Sequence, residues 1–72
     1  MSRVRHMKKY LYFKRNVYER DGSVIWARGD KCEVTYENKE LYYLNKINGI
    51  QYGISKNDTD YFDVVIEDGE VN

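Results

Sequence analysis

The feature that most constrains this chain is its punctuation. Asp21-Gly22-Ser23, Arg28-Gly29-Asp30, the polar run Glu37-Asn38-Lys39-Glu40 and Asn48-Gly49 each signal a tight reversal. They recur about every eight to twelve residues, the spacing of small all-β sandwiches and barrels. Between them apolar and polar residues alternate, the mark of strands buried on one side. Leu11 and Phe13, continued by Arg15 and Val17, fall on one face, opposite Tyr10, Tyr12 and Lys14. Residues 24–28 form a short strand with Trp26 on one side. Cys32, Val34 and Tyr36 alternate against Lys31, Glu33 and Thr35. Residues 41–47 and 50–55 flank Asn48-Gly49, the strongest short-range hairpin dipeptide in the chain. Residues 56–60 are a polar connection suited to a single 3₁₀ turn, and Phe62, Val64 and Ile66 share a face in the last strand. No stretch carries a 3.6-residue period. These patterns predict an all-β fold, a small barrel of five to six short antiparallel strands.

With 72 residues the chain holds one domain and a thin core. We place a basic arm at residues 1–8, the barrel at 9–68 and an acidic tail at 69–72. Met7 before Lys8-Lys9-Tyr10 offers a second start, and His6-Met7 is also the dipeptide a common cloning site leaves behind. The net charge is zero, twelve against twelve, but it is unevenly laid out. Residues 1–36 hold nine cations and four anions; residues 37–72 hold three and eight. Such asymmetry marks either a basic arm and an acidic tail or two halves that face each other.

Between Val17 and Val65 the order of motifs resembles a Src-homology-3 (SH3-like) barrel. Val17-Tyr18-Glu19 is similar to that family's aliphatic-Tyr-Asp opening. Arg28-Gly29-Asp30 before Cys32-Glu33-Val34 resembles its Lys-Gly-Asp turn into the second strand. Tyr42-Tyr43 stands where the family carries an aromatic pair, Asn48-Gly49 and Gly53-Ile54-Ser55 follow its Gly-x-x-Gly stretch, and Tyr61-Phe62 its closing Tyr. The resemblance implies a groove of Tyr18, Tyr42 and Tyr61, with Ser55 in place of the groove proline. It departs from the peptide-binding members in lacking the groove Trp and most of the long acidic loop that selects basic ligand residues. Proline-rich recognition, which needs a row of rings, is accordingly disfavoured.

Catalysis finds no support in the residues. A nucleophile needs a base within hydrogen-bond reach and a group to orient it. The only His, His6, lies in the arm, and the only Cys, Cys32, alternates with Val34 and Tyr36 as a small core hydrophobe. Asn57-Asp58-Thr59-Asp60 lacks the glycine and the flanking helices of a calcium loop, so neither a metal nor a cofactor is expected. No apolar run approaches the roughly 18 residues of a membrane span, and a single Cys allows no internal disulfide. A cytoplasmic protein is the expectation.

Binding is the remaining class. Eight Tyr and one Trp exceed what so small a core encloses, and such rings are enriched at interfaces. Tyr18, Trp26, Tyr42, Tyr52 and Tyr61 are the candidate contacts, with Asp58, Asp60 and Asp63 as an electrostatic rim. Asn, Lys, Tyr, Ile and Phe, the residues of A/T-rich codons, supply 28 of 72 positions, which suggests a low-GC bacterium or its phage. The leading expectation is a phage or mobile-element protein docking on a host or defence-system protein, as an inhibitor in one version. The alternative is a nucleic-acid-binding accessory protein that uses Lys8, Lys9, Tyr10, Tyr12, Lys14 and Arg15, where cations and rings interleave. The neutral total charge and pI of about 6.6 argue against it. Either a monomer or a homodimer suits such a barrel.

Overall fold

The computed structural model describes the backbone of residues 4–71 and the side chains of residues 7–68. The fold is all-β and antiparallel, as the alternation predicts. Its strands are β1 (Val4–Phe13), β2 (Val17–Tyr18), β3 (Val24–Trp26), β4 (Lys31–Glu37), β5 (Leu41–Leu44), β6 (Gly53–Ser55) and β7 (Phe62–Val71). Five of them form one sheet in the order β6-β5-β4-β1-β7, and β2 and β3 form a separate two-stranded hairpin.

The turns form where their residues allow them. Asn48 and Gly49 both take positive φ, 52° and 79°, the conformation of a type I′ reversal, which matches the right-handed twist of the flanking strands. Ile47 and Ile50 exchange both backbone hydrogen bonds across it. Gly29, at φ 94°, occupies the third position of a turn closed by the Asp30 N–H on the Ala27 carbonyl. The Asp30 carboxylate in turn accepts the Ala27 N–H at 2.9 Å. At the β4–β5 reversal the Asn38 side-chain oxygen accepts the N–H groups of Glu40 and Leu41, both at 2.8 Å. The connection after β6 makes two i→i+3 bonds, Asp58 to Ser55 and Tyr61 to Asp58.

Leu11 and Phe13 on β1, Trp26, Leu44, Ile54 and Phe62 form the buried core. The sheet curls so that Tyr42 on β5 meets Phe62 on β7 edge to face, with centroids 5.9 Å apart. The β2–β3 hairpin is fastened to this core through Trp26, whose ring stacks on Phe13 at 5.0 Å and 11°.

Several boundaries differ from the sequence expectation. Residues 4–8, read as a basic arm, belong to β1, and residues 69–71, read as an acidic tail, belong to β7. The two strands pair from Val4↔Val71 to Phe13↔Phe62. Residues 1–3 of the arm and residue 72 of the tail lie outside the described residues. The strand start is not legible in the sequence because residues 4–8 carry no apolar alternation, and the ladder there is seen as backbone register alone. A strand expected to reach residue 47 stops at Leu44, and the extra short strands bring the number to seven.

The two charged halves face each other. Lys9 bonds Glu37 at 2.8 Å, Lys14 lies 3.3 Å from Asp63, and Lys31 pairs with Glu67. Three of the four ion pairs among the described residues thus join a cation of the first half to a carboxylate of the second, the fourth being Lys56 with Glu37.

Candidate binding groove

A groove of about 500 Å³ runs between the β2–β3 hairpin on one side and β6 with its following turn on the other. Val17 and Tyr18 come from β2, Ile25 and Trp26 from β3, Gly53, Ile54 and Ser55 from β6, Asp58 and Tyr61 from the turn, and Asn16 closes one end. Its floor is apolar and buried: Trp26 is 3% exposed and Ile54 7%. Its walls are open rings, with Tyr18 at 59% exposure and Tyr61 at 36%. The floor is thus apolar and the walls are exposed rings, each of which offers rigid area and a polar tip.

Local chemistry fixes each wall. The Lys14 N–H donates to the Tyr61 carbonyl at 2.7 Å, which sets the start of β7 against the end of β1. Asn16 acts as a brace: its side-chain oxygen accepts the Arg28 N–H at 2.7 Å, and its amide nitrogen donates to the Tyr18 hydroxyl at 3.2 Å. Ser55 accepts the Asn57 N–H at 3.1 Å and shapes the turn that carries Asp58. Tyr52 supports the hairpin from behind. Its hydroxyl donates to Glu19 at 3.2 Å and its ring meets the edge of Trp26 at 6.1 Å. Desolvation, followed by the Glu19 hydrogen bond, pushes the Tyr52 hydroxyl above its ordinary pKa. Asp21, at the hairpin tip, is held below the usual carboxylate range by the Ser23 hydroxyl and backbone N–H.

Of the sequence-predicted contacts, Tyr18, Tyr61 and Asp58 come together here, with Ser55 between them. Trp26 is present as floor rather than as a protruding ring. Tyr42 and Tyr52 lie outside the lining. Tyr42 points to the core side against Phe62, because its strand alternation places it with Leu44, and the ammoniums of Lys9 and Lys56 sit over its ring at 5.4 and 4.9 Å. Both lysines bond Glu37 at 2.8 Å. The hydrogen bonds from Lys56 and Lys9 hold Glu37 below its ordinary pKa, and the Glu37 bond raises Lys9. Asp60 is exposed outside the groove lining, and Asp63 is taken up by Lys14.

The alternative basic set is dispersed. Lys9 is held by Glu37 on the core side and Lys14 by Asp63. Tyr10 lies under the Lys31 ammonium at 4.6 Å, Tyr12 and Lys8 are exposed, and Arg15 lies over Tyr61 at 5.8 Å. Sequence reading missed Asn16, Ile25 and Arg28. Asn16 and Arg28 are twelve residues apart and meet only through a hydrogen bond, which no periodicity announces.

Two further depressions adjoin the groove beyond Asn16. One is lined by Lys14, Arg15, Tyr18, Arg28 and Tyr61, and the next by Tyr12, Lys14, Arg28 and Gly29. Among the described residues no three His, Cys, Asp or Glu side chains gather as metal ligands would. Cys32 packs against the core half-buried, and desolvation pushes its thiol up, away from the reactive thiolate. No described helix is long and apolar enough to cross a membrane. No protein-family model matches the chain, and neither a curated protein nor a solved structure shows similarity to it.

Proposed function

We propose that this chain is a non-enzymatic binding module that takes a segment of another protein into the groove between the β2–β3 hairpin and the turn before β7. The observation that carries the proposal is the arrangement of Tyr18 and Tyr61 as exposed walls over a floor of Trp26 and Ile54. Hot spots of protein interfaces are aromatic anchors beside apolar pockets, and here Asn16 bonds the Tyr18 hydroxyl while the Lys14 N–H holds the Tyr61 backbone. The SH3-like reading draws support from the same geometry. Arg28-Gly29-Asp30 is the turn into β4, Tyr42-Tyr43 lies in β5, Gly53-Ile54-Ser55 is β6, and Tyr61-Phe62 opens β7. A phage or mobile-element origin, with a host or defence-system protein as the target in the bacterial cytoplasm, is the setting that the A/T-codon-rich composition favours. Inhibition of that target is the mode of action we favour.

The test is selection from a random peptide library displayed against the immobilised protein, followed by fluorescence polarisation with the enriched peptides. Replacing Tyr18 and Tyr61 together by Ala weakens binding by tenfold or more, since each hot-spot ring is worth on the order of 2 kcal/mol. Enriched peptides that bind the double variant as well as the parent place the site elsewhere. The nucleic-acid reading is tested beside it with single- and double-stranded oligonucleotides at low and moderate salt; salt-sensitive submicromolar binding would displace the protein-docking proposal.

A further inference from the structure

The extended groove is electrically polar. At the end near the β1–β2 connection stand three cations, Lys14, Arg15 and Arg28, and at the far end one carboxylate, Asp58. Only Lys14 of the three is within ion-pair distance of a carboxylate among the described residues, Asp63 at 3.3 Å. Arg15 holds its guanidinium carbon 5.8 Å from the centroid of the Tyr61 ring, a cation–ring contact that places its N–H donors beside that wall of the groove. Arg28 has its backbone N–H anchored by Asn16 and its side chain exposed on the same rim. A pair of guanidiniums beside two open Tyr rings is suited to carboxylates, which Arg engages through two parallel hydrogen bonds.

Resting on the reading of this groove as the docking surface, we infer that its occupant is an acidic peptide segment. Carboxylate side chains of that segment meet Arg15 and Arg28, and an adjoining large apolar residue sits over Trp26 between Tyr18 and Tyr61. The segment has a direction, because a carboxylate at the Asp58 end is repelled and an ammonium or amide there is favoured. That polarity selects polypeptide over nucleic acid. A nucleic-acid strand brings a phosphate at each step and meets Asp58 and Asp63 along its path, whereas a peptide places charge at chosen positions only. It is also the opposite charge preference from the basic ligands that a long acidic loop selects.

The experiment compares four fluorescein-labelled probes at 50 mM salt: a ten-residue peptide with Glu-Asp-Glu beside Trp-Leu, the same peptide with Gln-Asn-Gln, the same with Lys-Arg-Lys, and a ten-nucleotide oligothymidylate. The acidic peptide is expected to bind tightest. Arg15→Gln with Arg28→Gln then weakens it by at least about tenfold, as loss of charge-assisted hydrogen bonds requires, and leaves the Gln-Asn-Gln peptide within twofold. Raising salt to 200 mM weakens the acidic probe more than the neutral one. Circular dichroism and the urea midpoint of the double variant establish that it is folded; if it is not, Arg15→Lys with Arg28→Lys, which keeps charge and loses the fork, replaces it and is expected to weaken the acidic peptide only. Tyr18→Ala with Tyr61→Ala weakens all the peptides. If the Tyr variant weakens binding but the acidic peptide holds no advantage, or Arg15→Gln with Arg28→Gln binds it normally, the charge assignment is overturned while groove docking stands. Normal binding of the acidic peptide by the Lys variant overturns the two-pronged guanidinium contact. If the Tyr variant binds every peptide normally, docking in this groove is overturned. Tighter binding of the oligothymidylate, or no peptide binding up to millimolar concentration, overturns the inference as well.

Discussion

Replacing Trp26 by Ala tests whether one side chain joins the groove to the core. The ring is buried, stacked on Phe13 at 5.0 Å and edge-on to Tyr52 at 6.1 Å. Its hairpin pairs only through Val17↔Trp26 and Tyr18↔Val24 with an irregular register between them. Of the side chains that fasten it to the core, Val17 and Ile25 are only partly buried while Trp26 is buried. Truncating a buried Trp costs about 3–5 kcal/mol. At about 0.05–0.15 kcal/mol per residue, a 72-residue domain has about 4–11 kcal/mol in total. The loss therefore ranges from about a quarter of the stability to all of it. With a urea m-value of about 1 kcal/mol/M, the midpoint falls by about 3–5 M, or the chain is unfolded in plain buffer. Trp26 is the only Trp, so its fluorescence follows unfolding of the parent and far-ultraviolet circular dichroism follows the variant. Trp26→Phe, which keeps a ring against Phe13, recovers most of the loss. A midpoint shift below about 1 M for Trp26→Ala would show that the hairpin is held by other contacts, and the account of the groove floor would fall with it.

Three further perturbations address single features. Gly49→Ala places a Cβ at φ 79°, which costs about 1–2 kcal/mol, whereas Asn48→Gly is nearly neutral; equal urea midpoints for the two variants would refute the type I′ assignment. Glu37, with its pKa lowered by the Lys56 and Lys9 hydrogen bonds, contributes stability that is fully present above the ordinary carboxylate pKa and is lost as pH falls through its folded value. Lys9 is raised, so its share is present below the ordinary lysine pKa and is lost as pH rises through the folded value. Glu37→Gln flattens the acid-side decline and costs about 1 kcal/mol at neutral pH, as partly exposed pairs do; an unchanged slope of thermal midpoint against pH contradicts the pairing. Gly53→Ala brings a Cβ within 3.1 Å of the Tyr43 ring, and because that ring lies over the exposed Tyr36 it has room to move. The expected cost is under about 1.5 kcal/mol, with shifted Tyr43 ring resonances by nuclear magnetic resonance; unmoved resonances contradict the contact.

What could be read from the sequence was what two or four neighbouring residues decide. Asn48-Gly49 and Arg28-Gly29-Asp30 fix their turns through φ, and Leu11, Phe13 and Phe62 declare their side by alternation. Alternation states a face, however, and not what covers it. Val64 and Ile66 follow Phe62 on the same face and are 43% and 56% exposed, because the sheet curls over Phe62 only. Tyr42, which the family resemblance assigns to the groove, faces the core against Phe62 instead. Tyr18 and Tyr61 were found through the family resemblance. Arg28 and Asn16 carried no signal, since their role depends on a hydrogen bond between segments twelve residues apart.

The pairing of β1 with β7 also orders the folding in time. The reversals at residues 38–41 and 47–50 close over a few residues and need no distant partner, so they form early. The first strand finds β4 only twenty residues on and β7 only some fifty residues on, and pairings of such separation are slow. Leu11 and Phe13, wholly buried in the finished sheet, are not fully enclosed until residues 62–71 arrive. On a ribosome extending the chain at about 5–20 residues per second, β1 precedes the other strands and gains its second neighbour, β7, last. Its dense positive charge then keeps an unhoused strand soluble and apart from its copies during that interval.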